Sequence, residues 1–117
     1  MNWKISYTKK ALEDLDGIYD YIAKVLIEPT IAQNLITLIM KEIRGLETLP
    51  MRHHLFDEEP LKSQGLRIMP VKNYLVAYIP KEEEHTVFII RIMYGGRDIS
   101  KQLNDIWLKE RYLCIAK

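Results

Sequence analysis

Thiol chemistry is nearly missing from this chain: Cys114 is the one cysteine among 117 residues, so no internal disulfide and no cysteine-based zinc cluster can form. A lone thiol fits a reducing compartment. Net charge is missing as well. The 17 Lys and Arg offset 16 Asp and Glu, leaving a formal charge of +1; no whole-molecule field steers the protein toward a polyanion, and any nucleic acid would have to be held by a local patch. No apolar run nears the roughly 20 residues that span a bilayer, and the opening MNWKISYTKK has no apolar stretch of signal-peptide length. A soluble cytoplasmic protein without membrane contact is the expectation. Repeats, low-complexity tracts and Ser/Gly-rich linkers are absent too. With 48% hydrophobic residues, the chain reads as one domain over 1–117 with a single core.

What is present is periodicity. Trp3, Ile5 and Tyr7 alternate with polar residues, which predicts a short strand. Thr8 then caps a helix through its hydroxyl, although Ala11 stands where Glu or Gln would complete a capping box. Leu12, Leu15, Ile18, Tyr19, Ile22 and Leu26 recur every three or four residues, the mark of an amphipathic helix with one buried stripe. Pro29 stops it, and Thr30 with Gln33 fits a capping box opening a second helix. The apolar residues of that helix, from Ile31 to Leu46, occupy more than one face. It is therefore either sandwiched in the core or covered in part by a partner. Two helices joined by a tight link predict an antiparallel hairpin.

The segment MRHHLFDEEPLKSQG is charged and bounded by prolines, which makes it a loop. Adjacent His53 and His54 lack the spacing that fixes metal ligands, as a His pair four apart on a helix has. No metal site is expected. Leu66, Ile68 and Pro70 then share one strand face, with Arg67, Met69 and Val71 on the other, so the Arg67 guanidinium is expected at a rim or a partner. Lys72-Asn73 suits a two-residue hairpin turn because Asn tolerates positive φ. Residues 74–79 form the next strand, KEEE turns the chain, and 86–93 is apolar on both faces except at Arg91, as a central strand should be. A buried arginine needs a carboxylate or several acceptors; Arg91 is either in a structural ion pair or in contact with a ligand. Gly95-Gly96 allows a sharp bend, and Ile99, Leu103, Ile106 and Trp107 predict a short terminal helix. The apolar end, Tyr112 to Ile115, is expected to dock on the domain or on a neighbouring chain.

The resulting class is α+β: a small antiparallel sheet with an N-terminal helical hairpin packed on it, in the order β-α-α-β-β-β plus a C-terminal helix. ALEDLDGIYDYIAK, the Leu49-Pro50 exit of the second helix, YLVAYI and VFIIRIMYGGRD, in this order over roughly 2–103, resemble the RelE/ParE-type toxins of bacterial type II toxin-antitoxin systems, the plasmid stabilisation family. The resemblance implies a toxin held silent by a cognate antitoxin whose extended segment wraps it, as a heterotetramer or a homodimer. Operator DNA would then be bound only through the antitoxin. No cofactor is implied.

That family divides by target. RelE-like members cut mRNA in the ribosomal A site by driving a 2'-hydroxyl onto the adjacent phosphate, which asks for a base, an acid and fixed positive charge. Leu66, Ile68 and Leu75 stand about where such members carry lysines and an arginine. What remains is Arg67, Lys72, Arg91, Tyr94, Arg97 and Lys101. As a nuclease, the catalytic set would be Arg67, Arg91 and Arg97 around the phosphate with Tyr94 moving protons. A phenol with a free pKa of about 10 is a poor base at neutral pH without nearby cations. ParE-like members instead poison DNA gyrase by binding, which needs a complementary surface and no acid-base pair. The preferred expectation is a ParE-like growth inhibitor; the alternatives are a ribosome-dependent mRNA endoribonuclease that blocks translation and a non-toxic binding protein on the same fold.

Overall fold

The apolar run after the acidic turn becomes the middle of a sheet. In the computed structural model, which describes residues 2–95, the elements are β1 (Lys4–Tyr7), α1 (Lys9–Asp20), α2 (Pro29–Arg44), β2 (Arg67–Val71), β3 (Tyr74–Lys81) and β4 (Thr86–Tyr94). The strands lie in the order β1-β4-β3-β2. β2, β3 and β4 form the expected antiparallel meander, but β1 runs parallel to β4. The sheet is thus mixed rather than wholly antiparallel: the two intervening helices carry the chain across one face and return it in the same sense. The predicted terminal helix and the apolar tail lie outside the described residues.

Each face of the sheet has its own core. Ala11 and Leu15 of α1 and Ile39 and Ile43 of α2 pack with Leu46 on Val76, Tyr78, Val87, Ile89 and Ile92. On the opposite face Ala77, Ile79, Phe88, Ile90 and Met93 meet Leu61, Leu66 and Phe56. Burial on both faces is why β4 has no polar alternation. A fully enclosed side chain such as Ile39 contributes about 1.5–3 kcal/mol by leaving water. The helical hairpin is as expected, with a shifted stripe: Ala11, Leu15 and Ile22 are buried, whereas Leu12 and Leu26 are about half exposed.

Thr8 joins helix to sheet. Its Oγ1 accepts the Ala11 N–H at 3.1 Å, capping α1, and donates to the Ile90 carbonyl at 3.0 Å. The link to α2 departs from expectation. The chain leaves α1 through a π-helical turn at Tyr21–Val25, and Ile27 adopts a left-handed φ of 56°. Pro29 then opens α2 as its first residue, where a missing N–H costs nothing, so Thr30 is already inside the helix and the Thr30/Gln33 capping box does not form. In the β2–β3 turn the left-handed residue is Lys72, at φ 56°, and not Asn73.

The loop after α2 is fixed by a cross-strand pair. Tyr78 and Arg67 face each other across β2 and β3; Tyr78 Oη donates to the Pro50 carbonyl at 2.7 Å, and Arg67 Nη1 donates to the carbonyls of His53 at 2.7 Å and Met51 at 3.3 Å. Burial pushes the Tyr78 phenol up to about 12. The unfolded chain releases that proton near 10, so this contribution is complete below about pH 10 and is lost as pH rises toward about 12. In urea titrations Tyr78→Phe should lower stability by about 1–2 kcal/mol at pH 7, by stranding the Pro50 carbonyl, and should flatten the decline between pH 10 and 12. An unchanged alkaline slope would show that Tyr78 is not its source.

Candidate functional site

β1 ends opposite Ile89 while β4 runs on to Tyr94. The edge of β4 that β1 leaves uncovered has backbone groups needing partners. Asp14, one turn into α1, supplies one: its Oδ2 accepts the Ile92 N–H at 2.9 Å. The same carboxylate takes Arg91 in a two-point pair, Nε to Oδ2 at 2.5 Å and Nη2 to Oδ1 at 2.9 Å. A bulge makes this geometry possible. Tyr78 pairs with Ile89 and Ala77 with Arg91, which leaves Ile90 as the extra residue, and such an insertion redirects the side chains beyond it. The Arg91 and Asp14 side chains are only 16% and 13% exposed, so the pair is screened little by solvent. Of the two roles open to Arg91, the geometry is that of the structural ion pair.

Arg67 is likewise committed to the fold. Its guanidinium reaches the rim as expected, but what it meets there is the chain's own loop, the carbonyls of Met51 and His53. His53 sits edge-on to Tyr78 with ring centroids 6.4 Å apart. Burial, then the Arg52 charge, push its pKa below the usual range, which keeps the imidazole neutral. Arg67 Nε and His53 Nε2 are enclosed there without a protein partner.

Tyr94 lies elsewhere. It pairs with Tyr74, whereas Arg67 pairs with Tyr78, four residues or about 13 Å away along β3. The Tyr94 ring meets Tyr74 edge-on at 5.7 Å and is half exposed. Burial pushes the Tyr74 phenol up, and Tyr94 and Tyr21 push it the same way, opposite to what a base at neutral pH requires. The three tyrosines stand at one end of an open groove of about 1210 Å³ between the helical hairpin, the β2–β3 turn and the end of β4. Its wall is apolar along Ile18, Ile22, Leu26, Ile31, Leu35 and Leu38, and the Asp14–Arg91 pair and Lys72 also border it.

The structure therefore brings Arg91 and Tyr94 to one groove and places Arg67 at another end of the sheet. Arg97 and Lys101 lie outside the described residues. Asp14, Tyr21 and Tyr74 are the residues sequence reasoning passed over. Asp14 had one available signal, since a half-buried arginine demands a carboxylate and α1 carries several. Removing it should be costly. Asp14→Ala leaves Arg91 without its counter-charge and the Ile92 N–H without an acceptor; chemical denaturation should show a loss of about 3–5 kcal/mol, and Asp14→Asn, which keeps an acceptor, should lose less. Equal stability of Asp14→Ala and the wild type would contradict this description of the site.

The comparisons with known proteins agree with the fold. Residues 5–99 match the family model described as the ParE toxin of type II toxin-antitoxin system, parDE. Among solved structures, the chromosomal ParDE system from P. aeruginosa is 25% identical with a TM-score of 0.64, covering 79% of this chain and 95% of that one. The RelBE2 toxin-antitoxin complex from Mycobacterium tuberculosis is 19% identical with a TM-score of 0.57, over 80% and 99%. A free-state variant of the E. coli toxin RelE is 12% identical with a TM-score of 0.64, over 94% and 98%. The last two likenesses speak to the fold alone. No curated protein matches. Two helices on a four-stranded mixed sheet, and a family model spanning most of the chain, make this protein a member of the ParE toxin family of type II toxin-antitoxin systems.

Proposed function

We propose that the chain is a one-domain cytoplasmic toxin that arrests growth by binding an essential target in the ParE manner, with DNA gyrase as that target, until its cognate antitoxin binds it. The observation that carries this reading is the engagement of the arginines. A phosphate clamp needs guanidinium donors pointing into a common space. Arg91 gives two donors to Asp14, and Arg67 gives its Nη1 to loop carbonyls far along the sheet. That leaves Tyr94 and Arg97 from the nuclease set, too few for a base, an acid and fixed positive charge. A poison that acts by surface complementarity loses nothing by this arrangement. Among the described residues no helix is long and apolar enough to cross a membrane. The antitoxin partner is supported by the family and by the P. aeruginosa relative, itself described as a ParDE toxin-antitoxin system. Operator DNA would be reached through that antitoxin.

The RelE-like alternative keeps one support, the shared fold with RelE across nearly the whole chain. Induction in cells separates the two, with translation and plasmid supercoiling followed in parallel. The proposal expects altered supercoiling with an SOS response before protein synthesis falls, and a double variant Tyr94→Phe/Arg97→Ala that folds and still arrests growth. An early stop in translation with cut messages, abolished in the double variant, would establish the nuclease. Harmless expression of the chain alone would remove the toxin reading altogether.

A further inference from the structure

Three positions around the groove break local backbone rules, and the rest of the fold requires none of them. Gly17 sits in the middle of α1, where glycine is the poorest residue short of proline. A Cβ built there meets nothing within 4 Å, so no neighbour in the structure demands its bareness. Ile27, next to groove-lining Leu26, holds a left-handed φ of 56° although it is β-branched, and its side chain is 76% exposed. Such a residue belongs in other conformations, and the site would suit Gly or Asn. Lys72 repeats the anomaly on the far rim: a left-handed lysine at φ 56° in a turn that favours Gly, Asn or Asp. Departures from local preference that the fold does not repay concentrate where a protein meets something else.

The groove's chemistry says what that is. As an open trough it exceeds the roughly 300–1,000 Å³ of pockets that enclose small molecules, so it suits a length of chain. Its wall is apolar. Of its charged side chains, Asp14 and Arg91 neutralise each other and Glu13 lies 3.7 Å from Lys10, whereas Lys72 has no carboxylate partner among the described residues. We infer that the groove seats an apolar, carboxylate-bearing segment of the antitoxin, which lies directly on α1 at the bare Gly17, is gripped by Ile27 and meets Lys72 with its acidic group. This rests on the toxin-antitoxin reading above. The three residues then set which antitoxin fits, because an added methyl at Gly17 blocks close approach and a lost charge at Lys72 leaves a carboxylate unpaired.

The test uses the full chain and, as its binding partner, the product of the small open reading frame adjoining its own. Free-chain Tm and complex Kd are measured for Gly17→Ala, Ile27→Asn and Lys72→Asn, with Ile31→Asp as a control at an exposed groove position. Gly17→Ala and Ile27→Asn should melt at or above the wild type, since each relieves a local conflict, while Kd weakens at least about tenfold. Lys72→Asn should weaken binding and flatten its salt dependence. If Ile31→Asp weakens the complex and the other three bind as wild type, the groove remains the seat and the inference is wrong. If Ile31→Asp also binds as wild type, the segment lies elsewhere and the inference is overturned. Failure of the wild-type chain to bind the adjoining product would remove the inference together with the toxin-antitoxin reading. A free chain that is dimeric, and made monomeric by Ile31→Asp, would put a second copy in the groove and likewise overturn it.

Discussion

One carboxylate decides how helix and sheet are joined. Asp14 meets Arg91 at two atoms and the Ile92 N–H at a third contact, at the place where β1 has ended and β4 still has an edge to satisfy. Without it, α1 would rest on β4 through apolar contacts alone, and apolar contacts are non-directional. With it, the helix is held at one rotation and one height against the strand. Thr8 performs the same service a turn and a half earlier, and the two polar anchors bracket Ala11, which is fully buried between them. The groove inherits its shape from this arrangement, since the α1 face that lines it cannot roll.

The anchor also bears on chemistry. In a protein of this size a guanidinium held in a two-point, poorly solvated pair is not available to gather a phosphate unless the pair is broken, which costs more than a surface contact returns. Arg67 is tied in a different way, by acting as a donor for the loop that follows α2. Both arginines face inward, toward the chain itself. The surface left for a partner is apolar and aromatic, along the hairpin and the tyrosines of β3 and β4. Such a surface serves recognition of protein better than recognition of a polyanion, in keeping with a net charge of +1.

Much of this was readable from the chain. Alternation over 3–7 and an apolar run over 86–93 gave β1 and the central strand, and three-to-four spacing gave both helices, because each pattern reports burial of one face or of two. Three features were misread for identifiable reasons. The parallel pairing of β1 depends on where the helices return the chain, which no local pattern encodes. Pro29 signals a helix boundary but not which side of it, and here it opens α2. Asn73 has the better propensity for positive φ, yet Lys72 takes that conformation. Of the site, Arg91 was visible as an anomaly in an apolar strand. Its partner was not, because the contact spans 77 residues and is aimed by a bulge that sequence does not announce.

These pieces meet in a single claim: this member of the ParE toxin family works through a surface and not through a catalytic arginine set. The most direct test is primer extension on ribosome-bound transcripts incubated with the purified chain. The account predicts transcripts of full length at chain concentrations that arrest growth. Transcripts cut within the ribosomal A site, and left whole when the chain is omitted, would contradict it.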